Sequence, residues 1–500
     1  MTRKDSKNDN SRMKFLPLLI IFIFQTELSA QLLKPHWSVT YDNMGTFSSP
    51  RVADLNGDGT KDIVLGAGRQ EFIGCDSAVV ALDGSNGELL WNVYARDQIF
   101  GSAGFMDITG DDIPDVFIGG RSAEFMAING KTGKIIWEFF PDGDTASFRA
   151  KNLFNFYNPQ FIPDQDQDQV KDILVSNGGD VTAQPYSEDR PAGSLMVISG
   201  LTGQLLSKAA MPDSREIYMS VVCSDIDEDG ILDIVFGTGG ETVGGALYRA
   251  TLVDVMKGDL SGAAMLATGE RKGFIAPPVV VDVNKDKTKD IVVNSVDGRM
   301  MAFNGTDNQI LWGGQIPNTE AYSSLATGDL NGDQVPDFFT TFAIGTWPAL
   351  ESTRPFFVDG LKGQILFMDS IGFYQMSSPV LADFNADQHI DALINVNFFL
   401  PNEEGKKTIH NTMLVYDLFN RAKFAIAEPM VGSNVASTPW VGDLDNDGFL
   451  DIIYCNMTTP DTVYTFDGMR VIRLKTNLPA TMEVPWGSYM GNNHDGVYDW

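Results

Sequence analysis

The chain has 500 residues, 66 acidic against 36 basic, for a formal charge of −30 at pH 7. Such an excess of acid disfavours binding to nucleic acid through backbone phosphates. Three cysteines are too few for a disulfide framework, while a 43% hydrophobic fraction can supply a sizeable core.

In chain order, Met13-Lys14-Phe15 leads into the apolar stretch Leu16 to Phe24, broken only by Pro17, and then into Gln25-Thr26-Glu27-Leu28-Ser29-Ala30. A basic start, an apolar core and small residues before a cut predict a secretory signal over residues 1–30, cleaved after Ala30. The stretch is too short to favour a spanning helix, and no later segment has the apolar length of one. The expected location is secreted, periplasmic or at the outer cell surface, with residues 31–500 as the folded part.

From Asp54 onward one nine-residue acidic pattern recurs eight times, with Asp at positions one, five and nine and Asp, Asn or Thr at position three. The copies are Asp54, Asn56, Asp58, Asp62; Asp107, Thr109, Asp111, Asp115; Asp164, Asp166, Asp168, Asp172; and Asp225, Asp227, Asp229, Asp233. They continue with Asp282, Asn284, Asp286, Asp290; Asp329, Asn331, Asp333, Asp337; Asp383, Asn385, Asp387, Asp391; and Asp443, Asp445, Asp447, Asp451. In a tightly curled loop, positions one, three and five converge, position seven offers its carbonyl and position nine closes the shell. Oxygen-only donors of this kind suit Ca2+, whereas Mg2+ prefers a smaller octahedral shell with its waters retained. Zinc is disfavoured because no His or Cys recurs in the pattern, and His389 falls where only a carbonyl is needed.

Successive loops start 47 to 61 residues apart, so one unit repeats with extra residues falling between its elements. In the first unit Val52 leads into the loop, Ile63-Val64-Leu65 leaves it, Val79 to Leu82 comes next, and Asp83-Gly84 turns toward Glu88 to Trp91. Short β-rich runs between Gly and Asp turns predict strands, and helical periodicity is absent over any comparable length. The expected fold is all-β: a β-propeller, eight-bladed, with a calcium-binding loop in each blade. His36-Trp37-Ser38-Val39-Thr40-Tyr41 is similar to Leu90-Trp91-Asn92-Val93-Tyr94, so it is predicted to close the ring as the outer strand of the last blade. Near the end, Gly491, Asn493, Asp495 and Asp499 form a ninth, degenerate copy that stops where its apolar strand should begin; it is expected either to cap an eight-blade ring or, the favoured reading, to belong to a polypeptide that continues past Trp500.

The loops resemble those of FG-GAP repeats, found in integrin alpha-type propellers and in related bacterial proteins. The likeness runs from about Trp37 to Asp499, and its apolar-Gly flank survives in Leu65-Gly66-Ala67-Gly68, Phe117-Ile118-Gly119-Gly120 and Phe236-Gly237-Thr238-Gly239. It departs from the pattern near Asn294, Phe342 and Asn395, and Thr109 and Gln169 set the second and third loops apart. The resemblance implies bound calcium at the acidic positions of the eight loops. A second likeness, to quinoprotein-like propeller hairpins, runs through Leu82-Asp83-Gly84-Ser85-Asn86-Gly87 to Trp91 and Ile128-Asn129-Gly130 to Trp137. It needs only turn-forming Gly and an aromatic residue packed between blades.

Catalytic residues are not indicated. His36, His389, His410 and His494 form no local metal or nucleophile motif, and no Ser lies in a nucleophile elbow. The leading expectation is an exported, calcium-stabilised binding or scaffold module for an extracellular protein or glycan. It would use the segments 177–192, 241–272 and 395–410 as variable loops. The alternatives are a polysaccharide lyase or hydrolase, with Trp347, Trp440 and Trp486 stacking on sugar, or a quinone-dependent dehydrogenase.

Overall fold

The structure is a computed structural model that describes residues 32–140, 145–180, 182–373 and 375–500. The expected signal, residues 1–30, lies outside the described residues. Among these, no helix is long and apolar enough to cross a membrane.

Eight antiparallel sheets succeed one another along the chain and form an eight-bladed β-propeller. Blade 1 shows the plan: inner strand Arg51–Ala53, then Asp62–Gly66, Cys75–Leu82 and outer strand Leu89–Ala95. Each inner strand enters an acidic loop, and in every blade but the fourth, where a short helix intervenes, and the last, whose outer strand comes from the start of the folded chain, the third strand reverses through a turn into the outer one. Because neighbouring strands are antiparallel, loop and turn lie at the same end of a blade. One face of the ring therefore carries the acidic loops and turns, and the other carries the remaining connections.

The last blade is completed from the start of the folded chain. Pro35–Asp42 pairs antiparallel with Gly468–Pro479, with Trp37 opposite Arg473, as the Trp37 repeat predicts. This leaves no unpaired edge at the junction. A register shift between the third and outer strands recurs, for example at Ala81/Leu82, Ala127/Ile128 and Ala302/Phe303. Such bulges add local twist to the outer strands.

Tryptophan joins blade to blade. Trp37, Trp91, Trp137 and Trp312 each donate their indole N–H to a turn carbonyl of the next blade, those of Gly84, Gly130, Gly200 and Gly360, at 2.6–3.0 Å. Gly133, in the same turn as Gly130, has φ +69°, and a Cβ there would lie 2.6 Å from Trp91. The turn glycines thus let an indole lie flat against the neighbouring backbone. The hairpin likeness seen in the sequence is interblade packing.

Two of the three segments expected to be variable loops belong to the blades themselves. Residues 241–272 contain the strands Gly245–Thr251 and Ala264–Gly269 of blade 4, joined through the short helix Leu252–Lys257 with Thr251 and Asp254 as a capping box. Residues 395–410 prolong the paired strands Asp391–Pro401 and Lys407–Asp417 of blade 7. Only 177–192 is mainly loop.

The ninth copy builds no blade. Residues 485–499 run through the centre of the ring and bond to inner strands: Leu381 N–H to Trp486 O (2.8 Å), Val441 N–H to Gly487 O (2.7 Å) and Val280 N–H to Gly496 O (2.9 Å). Fully buried Arg51 of blade 1 reaches Ser488 and His494, and Gln160 of blade 3 donates to His494 O. Asp499 ends in an ion pair with Lys289. The segment is a plug, and Trp486 is its largest buried side chain.

Two substitutions separate the two kinds of buried indole. Trp91→Phe should lower stability by about 1 kcal/mol, the net worth of its hydrogen bond. Trp486 Nε1 has no partner among the described residues, so Trp486→Phe should cost less, whereas Trp486→Ala should cost roughly 3–5 kcal/mol by opening a cavity. Thermal melting of the three variants checks the order.

Candidate metal centres

The eight acidic loops share one backbone conformation. Positions four and six have positive φ in every loop, at residues as different as Gly57 and Gly59, Gln167 and Gln169, or Ala386 and Gln388. Non-glycine residues rarely adopt this conformation, so something must hold them there. Three bonds recur: the position-six N–H donates to Oδ2 of position one at 2.8–3.1 Å. The position-seven N–H donates to Oδ1 of position five at 2.7–3.1 Å. The position-two N–H donates to Oδ2 of position nine at 2.6–3.1 Å.

The position-nine Asp is buried in all eight blades. In blades 1, 2, 3, 5 and 6 its Oδ1 also accepts the N–H of the turn glycine, Gly84, Gly130, Gly200, Gly305 or Gly360, at 3.0–3.2 Å. Burial pushes four of the position-nine carboxylates upward, to about 6 for Asp62 and Asp290, about 8 for Asp337 and about 9 for Asp391, with neighbouring loop acids adding to the effect. Blade 7 has Leu418 where those blades have the turn glycine. Its Asp391 Oδ1 is buried without a hydrogen-bond partner, and the nearby Asp417 charge adds to the rise.

The predicted donors come together on one rim. Carboxylate oxygens of Asp164, Asp166 and Asp172, of Asp225, Asp227 and Asp229, and of Asp443, Asp445 and Asp451 lie within 4.8 Å of one another. The first, second, fifth, sixth and seventh loops carry Asn or Thr at position three and so bring fewer carboxylates together. Several donor oxygens, Asp168 Oδ2, Asp225 Oδ1, Asp227 Oδ1, Asp443 Oδ1 and Asp445 Oδ1, are buried and meet no hydrogen-bond donor. Buried anionic oxygens without a donor are costly, and a hard cation is the group that would satisfy them. His389 does not point to a metal role: its ring stacks on Phe419 at 3.5 Å between centroids. Cys75, Cys223 and Cys455 are free thiols.

Sequence reasoning missed two arginines. Arg249 Nη2 bonds Asp227 at 2.7 Å and Asp233 at 2.8 Å, and Arg473 Nη2 bonds Asp445 at 2.6 Å and Asp451 at 3.0 Å. Both stand at one register position of the third strand, where the other blades have Ala81, Ala127, Val197, Ala302, Phe357 or Val415. They occur in two of the three blades whose loops have Asp at position three, so each offsets the fourth carboxylate. Lys475 adds a further bond to Asp445 at 2.7 Å. Loop 3 has four carboxylates and no such arginine. The readable signal was the pairing of Asp at position three with an Arg 22 residues later in blade 4 and 28 residues later in blade 8.

A family model described as the FAM234A/B beta-propeller matches residues 37–224. Human Protein FAM234B is 22% identical over 439 residues, covering 81% of this chain and 66% of that protein. Integrin alpha-V of Gallus gallus is 25% identical over 293 residues, covering 53% of this chain and 27% of that protein. The chain thus spans less than two thirds of the length of these relatives. Among solved structures, a europium-containing methanol dehydrogenase superposes with a TM-score of 0.57 at 11% identity, covering 88% of this chain and 93% of that one. That likeness shows the ring alone. The chain is a β-propeller similar in part to integrin alpha-V.

Charge balance in the eighth loop can be tested directly. Arg473→Val alone should cost roughly 3–5 kcal/mol in metal-free protein, because it strands buried Asp451 and half-buried Asp445. Adding Asp445→Asn, which copies the Asn385/Val415 combination of blade 7, should recover a large part of that loss. Chemical denaturation of the two single variants and the double variant gives the coupling.

Proposed function

We propose that the chain is an exported β-propeller, stabilised by calcium in its acidic loops, that serves as a non-enzymatic binding or scaffold module for an extracellular protein or glycan. The observation that carries the calcium reading is the set of buried, donorless carboxylate oxygens in loops whose backbone is already curled around them. Positions one, three, five and nine of each loop would hold the ion. It would tie the inner strand to the second strand of each blade and relieve repulsion among the carboxylates. The partial likeness to integrin alpha-V supports the same reading. Affinity rises with ligand charge, so loop 3, with four carboxylates and no arginine, should bind most tightly, and loop 8, with Arg473 and Lys475, least. The binding role is supported by the ring's second face, where loops rather than metal sites meet, and export by the signal-like N-terminus.

Chelating the purified mature chain should lower its melting temperature by roughly 10 °C or more, and adding back calcium should restore it. Each site contributes about 2.7 kcal/mol when free calcium is one hundred times its Kd. Unchanged melting with no calcium by metal analysis would overturn the calcium reading. A folded chain silent against cell-surface protein and glycan arrays would overturn the binding role.

A further inference from the structure

On the face opposite the acidic rim, the connections surround a cavity of about 1020 Å³ on the ring axis, lined by residues from around the ring and floored by Tyr489 of the plug. Its wall is rich in aromatic rings: Tyr157, Tyr218, Tyr322, Trp347 and Tyr464 come from four different blades. The mouth is braced by Tyr186, whose hydroxyl donates to Trp347 O at 3.4 Å, and by Trp347 N–H on Glu320 at 3.0 Å.

The charges in this wall are unequal in a specific way. Arg121 pairs with Glu71 at 2.8 Å and donates to Gln98 at 2.8 Å. Arg190 pairs with Glu216 at 2.7 Å and donates to the Tyr218 hydroxyl at 3.0 Å. Behind the wall, Lys272 pairs with Glu320, which also accepts from Tyr322 at 2.5 Å. Every one of these cations is already matched. Glu241 is half-buried in the wall and its carboxylate has neither an ion pair nor a hydrogen bond to a described residue. Its charge reaches the hydroxyls of Tyr157, Tyr218, Tyr322 and Tyr464, all held above the usual range first by burial.

We propose that this axial cavity binds an organic cation, an alkylammonium or guanidinium group, against the tyrosine and tryptophan faces with Glu241 as its counter-ion. The inference rests on the reading of the ring as a binding module and names the chemistry its open face recognises. Aromatic faces attract such cations most strongly when water is excluded, and the cavity volume suits a drug-sized group. An anion would meet Glu241 and Asp180 with both arginines already engaged. A neutral sugar covering Glu241 would strip it of water without supplying an opposite charge. A free amine and a basic side chain of a partner protein present the same chemistry at the cavity.

The test is calorimetric titration of the calcium-loaded full chain with choline, with its neutral isostere 3,3-dimethylbutanol, and with a short peptide bearing one trimethyllysine. Choline should bind at least tenfold tighter than the isostere, and Glu241→Gln should remove that ratio while leaving calcium-dependent melting intact. Should that variant misfold, Tyr464→Ala at the exposed mouth should weaken choline at least threefold. A peptide that outbinds choline identifies a protein side chain as the source, and the reverse order identifies a free amine; both uphold the site. Equal binding of choline and isostere, no binding of any cation, or choline binding unchanged in the folded variants would overturn it. Failure here with intact calcium-dependent melting removes the cation site alone, and cation binding without any calcium response removes only the calcium reading.

Discussion

The buried aspartate at position nine is the joint on which each blade depends. One of its oxygens takes the N–H at the start of the loop in every blade, and in five blades the other takes the N–H of the turn between the third and outer strands. A single carboxylate therefore fixes the loop, the second strand and the turn to one another. The turn then offers its carbonyl to the tryptophan of the preceding blade, so a bond within one blade sets the contact between two. The glycine at this turn is required by space: a Cβ on Gly130 would lie 1.9 Å from the Pro114 carbonyl. In blade 7 Leu418 replaces that glycine, and Asp391 loses its second donor. Its carboxyl is pushed up to about 9, first by burial and then by the neighbouring Asp417 charge.

Concentrating carboxylates on one rim creates an electrostatic problem, which every blade but the third meets in one of two ways. Most loops use a neutral Asn or Thr at position three, keeping three acids where a fourth could fit. Blades 4 and 8 keep the fourth acid and add Arg249 or Arg473 from the third strand. These arginines also serve the ring, because each donates to a turn carbonyl of the following blade, Gly305 for Arg249 and Gly84 for Arg473. In blade 4 the guanidinium makes the interblade contact that tryptophan makes elsewhere.

Much of this architecture was legible in the sequence because it is local. The loop donors lie within nine residues, the alternation of strands within one unit, and the ring closure in the likeness of the Trp37 and Trp91 segments. The loop backbone was less legible: the positive φ of Gln167, Lys285 and Ala386 is imposed by side-chain acceptors at positions one and five and not by the residues themselves. The plug was illegible for a different reason. Its pattern copies an acidic loop, yet Gly491 replaces the first acid and its partners are inner strands from opposite sides of the ring. The axial cavity was also hidden, since Tyr157, Tyr218, Tyr322 and Tyr464 lie far apart in the chain and are gathered only when the ring closes.

The two faces of the propeller consequently divide the chemistry. On the acidic rim, short loops hold rigidly spaced carboxylates that favour a small, hard ion and leave little room for anything larger. At the other face, the same blades end in longer connections whose aromatic rings line a wide cavity around Glu241. The plug separates these regions: its bonds to inner strands fill the channel below, while Tyr489 closes the cavity from beneath. A ligand entering from the open face would therefore meet a floor built by the chain's own C-terminal segment, and the shape of the cavity depends on how firmly Arg51, Ser488 and His494 hold that segment in place.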